Sequence, residues 1–426
     1  MKNKTRIIDI IIFVAFLAVF LTFFARLVYC QTIYAEMTER GYNSDILAYM
    51  QEMQGIDSGY SFPYPVFFAI GRFFNLFLPI DRAITVAEVL LNGLAIVISK
   101  YYFEKLLAVK APAEKDTAAK APSGDKWYRH VIITAAIFGC FMMSMWWLPR
   151  FGKVTLPFKD QVFYGTYSGN PWHNATYIAT RPFAIGCFFS FFDVLASYEK
   201  KFSAKDHIVF SVFLLLTTLT KPSFTLVFVS ASGIVLLVKL FVSKFKNIRN
   251  SLILAAFYVP TFIALIIQFG GVFGSGNSEA EHGIGFDGFR LWTSINPNVI
   301  PAVFYANVFS IVCLVFFAKE ILKDERYRFS LILFATAFLE AGLLCEKGFR
   351  YSHFNFSWGY MHGIFFLEMM TLIKLLEATF SRKLKPVFIV ICWLFFASQV
   401  AAGVMYFAGM YRGLDYNTLL PAIWLG

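Results

Sequence analysis

Long apolar stretches, each close to the thickness of a bilayer, follow one another along the whole of this 426-residue chain. Hydrophobic residues make up 58% of the sequence and charged residues only 15%, which leaves too little polar surface for a soluble protein of this length. The sequence therefore predicts an all-α, polytopic transmembrane helical bundle. About eleven spans are predicted, at 7–29, 83–107, 130–148, 177–198, 206–220, 222–242, 251–269, 303–321, 328–344, 360–377 and 386–408.

Lysine and arginine are distributed unevenly between the connections. Of the 38 such residues, 25 fall in the segments that are cytoplasmic if the N-terminus lies inside, and 12 fall in the longer segments on the other side. Because cytoplasmic loops retain positive charge during insertion, the pattern predicts a multi-pass protein of the cell (plasma) membrane with a cytoplasmic N-terminus and an extracytoplasmic C-terminus. The net charge of +11 then indicates contact with anionic membrane lipids and no nucleic-acid partner.

The connections differ in composition, although residues 1–426 are predicted to form a single transmembrane domain. Residues 108–129 are rich in Ala, Lys and Pro and are predicted to be a disordered cytoplasmic linker. The Gly-rich run 270–288 is predicted to be a mobile lid or surface loop. Tyr, Trp, Asn, Gly and His are frequent in the predicted outer loops, where we therefore expect the active site: 30–82, 149–176, 270–302 and 345–359.

The first outer loop, 30–82, carries two predicted interfacial helices. Apolar residues recur at helical spacing after Asp45, which indicates a short amphipathic helix with Ser44 or Asp45 as its N-cap. Residues 64–79 are apolar but interrupted by polar side chains, and we expect a second surface helix introduced by Tyr64-Pro65.

This arrangement resembles the GT-C glycosyltransferases, membrane enzymes that use a polyprenyl-phosphate sugar as donor. In that family an N-terminal helix is followed by an outer loop with an acidic residue, two surface helices and a Tyr-Pro or His-Pro element, which Asp45 and Tyr64-Pro65 match. The resemblance covers residues 1–110 and implies sugar transfer to an extracytoplasmic glycan or lipid-linked acceptor, with Asp45 as general base. Many members carry a pair of acids, whereas Ser44 stands beside Asp45 here. A divalent metal is therefore not supported, no cofactor is expected, and Asp57 is the spare acid.

The phosphate of such a donor needs cations at the outer face. Arg181-Pro182 and Lys221-Pro222 each place a cation before a proline at the expected start of an inward-running helix, where unpaired N–H groups also favour an anion. Arg350 is suited to bidentate phosphate contact. Contact with ordinary lipid headgroups is the alternative for Arg181 and Lys221.

Further candidates for substrate binding lie on the outer loops or near an outer helix end: Asp57, Tyr64, His173, Glu340 and His353. Asn170 and Asn174 offer directional hydrogen bonds, and Asn174-Ala175-Thr176 also fits a glycosylation sequon. Trp172 and Trp358 are assigned to the aromatic belt at the membrane boundary.

Three other functions stay open. A polymerase or ligase of lipid-linked polysaccharide shares the donor chemistry. A secondary transporter or flippase of lipid-linked saccharide is kept open by the predicted intramembrane acids Glu88, Asp193 and Glu368. A structural or assembly subunit would use the outer loops for protein contact.

Overall fold

A computed structural model of the chain describes residues 2–35, 41–109, 127–146, 149–150, 153–154, 164–199, 202–273, 283–381 and 384–413. These residues form an all-α bundle with two small antiparallel sheets of two strands each. In the first third of the chain the helices are α1 (Lys2–Ile33), α2 (Ile46–Gln54), α3 (Pro65–Asn75), α4 (Ile80–Val109) and α5 (Trp127–Cys140). The middle contains α6 (Ala175–Ser197), α7 (Ala204–Thr220), α8 (Ser223–Val242), α9 (Ile248–Ala256) and α10 (Val259–Phe273). The last third contains α11 (Arg290–Ile295), α12 (Val299–Ala306), α13 (Val308–Ile321), α14 (Glu325–Leu343), α15 (Ser357–Ser381) and α16 (Pro386–Tyr411).

The strands are short and antiparallel. β1 (Pro149–Arg150) pairs with β2 (Lys153–Val154), and β3 (Ile284–Phe286) pairs with β4 (Leu344–Glu346), with Gly285 opposite Cys345. This second sheet joins the segment before α11 to the segment after α14. Single 3-10 turns at Tyr164–Tyr167 and Gly348–His353 precede α6 and α15.

The protein is a multi-pass membrane protein by the length and apolarity of its helices. Five described helices are long and apolar enough to cross a bilayer, namely α1, α4, α6, α8 and α16. Two bent pairs, α9 with α10 at 47° and α12 with α13 at 67°, raise the number to seven if each pair is one span. Each of the eleven predicted spans overlaps a helix or a bent pair, but α5, α7, α14 and α15 are not among the helices long and apolar enough to cross a bilayer.

The core runs through the bundle around α15, which is buried along most of its length. Buried side chains form two clusters, one towards each end of the bundle. One contains Tyr49, Trp172 and Trp292 and supports the end where the first long connection lies. The other contains Phe188 and Phe366, whose rings stack 4.7 Å apart.

The two short helices of the 30–82 connection lie where the sequence predicts them. α2 begins after Asp45 and α3 after Tyr64, with Pro65 in its first turn. A Cβ added to Gly71 of α3 would lie 2.3 Å from the Met53 Cε, so the glycine permits the close approach of α2. The Arg72 guanidinium donates to the Glu52 carbonyl oxygen over 2.7 Å at the end of α2.

Several predicted loop assignments change. The 149–176, 270–302 and 345–359 connections contain short helices and strands among the described residues, so they are more ordered than expected. In the Gly-rich run, Ile284–Phe286 forms β3, whereas 274–282 lies outside the described residues. Most of the predicted linker, 110–126, also lies outside them, and α5 already begins at Trp127.

Candidate functional site

A cavity of about 560 Å³ opens at the end of the bundle that carries α2 and α3. We call it the Asp45 cavity. Its walls come from the start of α2, the segment before α3, the start of α6, the turn between α7 and α8, and the 3-10 turn before α15. A smaller cavity of about 120 Å³, the Glu340 cavity, adjoins it. Five residues line both: Tyr64, Lys221, Arg350, Asn355 and Trp358.

Asp45 stands at the N-cap position of α2, but its carboxylate does not cap that helix within the described structure. The Ser44 hydroxyl accepts the Ile46 N–H instead, over 3.3 Å. The backbone N–H of Asp45 donates to the His173 carbonyl oxygen at 3.2 Å, which ties α2 to the loop before α6. The exposed carboxylate accepts a hydrogen bond from the Asn174 amide and faces the cavity. Capping therefore does not account for Asp45.

Lys221 is a buried ammonium without a carboxylate within 4 Å among the described residues. It lies directly before Pro222, the N-cap of α8, as the sequence predicts. Its Nζ donates to the Asn174 Oδ1 and the Thr176 Oγ1, both at 3.0 Å, and lies 4.4 Å from the Trp358 ring centroid. Burial lowers the pKa of Lys221 to about 7, against the opposing effect of the Asp45 charge. An anion entering the cavity would supply the missing counter-charge.

Asn174 connects these two groups. It is the N-cap of α6, and its Oδ1 accepts the Tyr177 N–H at 2.8 Å as well as the Lys221 ammonium. Its Nδ2 donates to the Asp45 Oδ2 and to the Tyr49 hydroxyl, the latter at 3.0 Å. With 1% exposure and both amide atoms engaged, Asn174 is not accessible as a glycosylation site.

Arg350 lines the cavity but has an acidic partner. Its guanidinium donates to both carboxylate oxygens of Glu346, over 3.1 and 3.3 Å, and the Asn355 amide donates to the same carboxylate. An incoming phosphate would have to share Arg350 with Glu346. Sharing is feasible because a guanidinium has five N–H donors.

The two candidate histidines and Tyr64 also line the Asp45 cavity. The His353 ring lies 5.6 Å from the ring of Tyr60, and burial and the Arg350 charge lower the pKa of His353. The His173 ring lies 5.5 Å from that of Trp358. Burial raises the pKa of Tyr64, so its hydroxyl stays protonated at neutral pH.

The remaining predicted site residues lie elsewhere. Arg181 is not at a helix start: α6 begins at Ala175, and Arg181 lies fully buried in its second turn. Its guanidinium donates to the side-chain oxygens of Asn170 and Asn92, at 2.5 and 3.0 Å, and it lines neither cavity. Glu340 lines the smaller cavity. Asp57 is exposed, and its carboxylate accepts the Gly59 N–H at 2.8 Å in a turn outside both cavity linings.

Three residues of the site were not predicted as such. Tyr49 and Thr176 join the hydrogen bonds around Asn174, with 3.1 Å between their hydroxyl oxygens. Trp358, assigned to the aromatic belt, instead presents its ring to Lys221 inside the cavity. The sequence feature that could have identified Trp358 is its place in the polar 345–359 loop. For Tyr49, the helical spacing of apolar residues indicated only that it lies on a buried helix face.

A larger cavity, of about 800 Å³, lies at the opposite end of the bundle. Some of its charged side chains pair with one another, namely Lys374 with Glu377 at 2.6 Å and Arg326 with Asp324 at 3.0 Å. Four acidic and four basic side chains line it, so its charges balance overall. The Asp45 cavity is therefore the better candidate for an anionic substrate despite its smaller volume.

One group of described residues has the spacing of metal ligands, and it too lies far from Asp45. The His130 Nδ1 is 3.5 Å from the Asp9 Oδ2 and 3.4 Å from the Glu104 Oε1. The Lys100 ammonium already contacts both carboxylates, at 2.7 and 3.0 Å. This cluster ties α1, α4 and α5 together.

The Asp45 cavity thus combines a proton acceptor, a buried cation that has no carboxylate within 4 Å in the described part of the chain, and aromatic walls. No protein-family model matches this sequence, and no curated protein matches it significantly.

Proposed function

We propose that this protein is a membrane glycosyltransferase that moves a sugar from a polyprenyl-phosphate donor to a hydroxyl group of a glycan or lipid-linked acceptor. One observation carries the proposal: the exposed Asp45 carboxylate and the Lys221 ammonium line the same cavity and share Asn174 as hydrogen-bond partner. A transfer from a phosphate leaving group requires those two functions, a base and an anion site, side by side.

In the proposed reaction the acceptor oxygen attacks the anomeric carbon of the donor sugar while its proton passes to the Asp45 carboxylate. The bond from that carbon to the phosphate oxygen breaks, and the phosphate leaves with the electron pair. Lys221, together with Arg350, stabilises the charge that develops on the departing phosphate. Arg181 has no part in this scheme, because its guanidinium is enclosed in the bundle.

The carbohydrate is expected to lie in the Asp45 cavity, whose aromatic side chains suit stacking on sugar rings. The donor phosphate is expected at the wall shared with the Glu340 cavity, where both cations lie. We place this site on the extracytoplasmic side of the plasma membrane, in accord with the distribution of Lys and Arg.

The test is sugar transfer by the purified protein in lipid, with a panel of labelled polyprenyl-phosphate sugars and a cell-surface glycan extract as acceptor. Asp45→Asn should reduce transfer by roughly 10²-fold or more, because the base is lost while the side-chain shape is kept. Asp57→Asn, which removes an exposed carboxylate in the same connection, should transfer like the wild type. Wild-type transfer retained in Asp45→Asn would refute the role of Asp45. If the protein transferred sugar from no donor and instead moved saccharide across vesicle membranes, its assignment as a glycosyltransferase would be refuted.

A further inference from the structure

Asn174 makes more of the site's hydrogen bonds than its role as a helix cap requires. Its amide is bonded to Asp45, Tyr49, Lys221 and the backbone of Tyr177, and Thr176 donates to it at 3.0 Å. Four of these partners are side chains, and Asp45, Tyr49 and Lys221 line the Asp45 cavity.

The orientation of the amide is determined by these partners. The oxygen receives three donors, including a cation, and the nitrogen faces a carboxylate and a hydroxyl. A flipped amide would direct N–H groups at the Lys221 ammonium and at the Tyr177 N–H, leaving donors against donors. Asn174 is thus held in one rotamer by the base, the cation and the start of α6.

We propose that Asn174 is a positioning residue for sugar transfer: its amide holds the Asp45 carboxylate by Oδ2 and so directs Oδ1 at the acceptor hydroxyl. This rests on the proposed function. Among the described residues no donor is placed on Oδ1, so that oxygen is available for the proton. The same amide anchors Lys221 opposite, which fixes the separation of the base from the anion site.

Two substitutions separate positioning from helix capping. Asn174→Ser keeps a good N-cap but is too short to reach both Asp45 and Lys221. Asn174→Asp keeps the cap and the acceptor for Lys221, but it replaces the amide donor by a carboxylate facing Asp45. Ser203→Ala is the control, because the Ser203 side chain caps α7 by accepting the Asp206 N–H and lines neither cavity.

The readout is the ionisation of the Asp45 carboxyl group, which is measured by infrared spectroscopy. In each variant, the Asp45 signal is the carboxyl band that disappears when Asp45→Asn is added. The other titratable or charged groups that line the Asp45 cavity are unchanged in the variants: Tyr49, Tyr60, Tyr64, His173, Lys221, Arg350 and His353. Glu346, the partner of Arg350, is unchanged too. In Asn174→Asp the titration should move to higher pH by about one unit or more, because a neighbouring carboxylate disfavours ionisation. The acid limb of the transfer rate should move with it.

Asn174→Ser should lower kcat by roughly 10²-fold through the lost orientation of the base, while Ser203→Ala transfers normally. The proposal would be overturned if the infrared titration did not move in Asn174→Asp and if Asn174→Ser, like Ser203→Ala, lost only thermal stability. Asn174 would then be a helix cap and nothing more. If the wild type transfers no sugar from any donor and instead moves saccharide across vesicles, the proposed function fails, and the infrared titration still decides whether Asn174 holds Asp45.

Discussion

At the scale of single residues, Lys221 determines how the site responds to pH. Its pKa, lowered to about 7 by burial, means that the side chain carries its charge below neutral pH and loses it above. A buried ammonium with no carboxylate partner among the residues that the structure describes gains most from an anion that stays ionised throughout this range. A phosphodiester has that property.

We predict that dibutyl phosphate binds the purified protein in lipid and that its affinity falls as the pH rises above about 7. The direction follows because deprotonation of Lys221 removes the charge that the anion needs. Lys221→Arg should remove most of this pH dependence, since guanidinium stays protonated. Lys239→Met, at the far end of α8 where Lys239 pairs with Glu325, should behave like the wild type. A pH-independent affinity in the wild type, measured by calorimetry, would contradict this role of Lys221.

The sequence identified some of these residues and misplaced others for physical reasons. Asp45 and Lys221 follow from local patterns, a helix start in an outer loop and a cation before proline. Arg181 also precedes a proline, but it lies inside α6 because Asn174 caps that helix seven residues earlier. The role of Asn174 could not be predicted, since its partners Asp45 and Lys221 are 129 and 47 residues away in the chain.

At the scale of elements, the position of Lys221 depends on how closely α8 approaches α15. Gly359 permits that approach: an added Cβ would lie 2.6 Å from the Val227 Cγ1 and 3.2 Å from the Ser223 carbonyl oxygen. Both contacts lie within the first two turns of α8 after Lys221. Gly233 lies further along α8, and a Cβ added there would have no described atom of a neighbouring segment within 4 Å.

We predict that Gly359→Ala lowers the thermal midpoint, at a cost of about 1–3 kcal/mol for the overpacked contact, and weakens dibutyl phosphate binding. Gly233→Ala should leave binding unchanged and raise stability by about 1 kcal/mol or less through helix propensity. Equal midpoints and affinities for the two variants would show that the α8–α15 contact does not position Lys221.

Helix positions were predicted well where apolar runs ended at charges, and poorly where tertiary contacts end a helix. Residues 130–148 were predicted as one span, but α5 ends at Cys140. After it, the Ser144 N–H donates to the Gln399 carbonyl oxygen and the Trp146 N–H to that of Tyr305. Apolar composition does not reveal such partners, because they come from α16 and α12.

At the scale of the whole molecule, the all-α bundle and its multi-pass character follow from composition. The orientation is a prediction from charge, and the chain is suited to testing it because all six native cysteines are buried. Asp57 and Arg249 are exposed at opposite ends of the bundle. The Asp57 end carries the Asp45 cavity.

We predict that a membrane-impermeant maleimide labels Asp57→Cys on intact cells and labels Arg249→Cys only after permeabilisation. The reason is the concentration of Lys and Arg at the Arg249 end, which insertion retains in the cytoplasm. The reverse pattern would place the Asp45 cavity inside the cell, where a cytoplasmic substrate would be required.

The central claim is that two residues of one cavity have different roles: Asp45 activates the acceptor and Lys221 binds the phosphate. The most direct measurement is therefore kcat and the donor KM for Asp45→Asn and Lys221→Met beside the wild type, once a donor has been identified. We predict that Asp45→Asn lowers kcat by roughly 10²-fold or more with little change in donor KM. Lys221→Met should raise donor KM by roughly 10-fold or more, as expected for a lost charged hydrogen bond, and should also lower kcat because the departing phosphate is less stabilised. Wild-type kcat in Asp45→Asn, or an unchanged donor KM in Lys221→Met, would contradict the account.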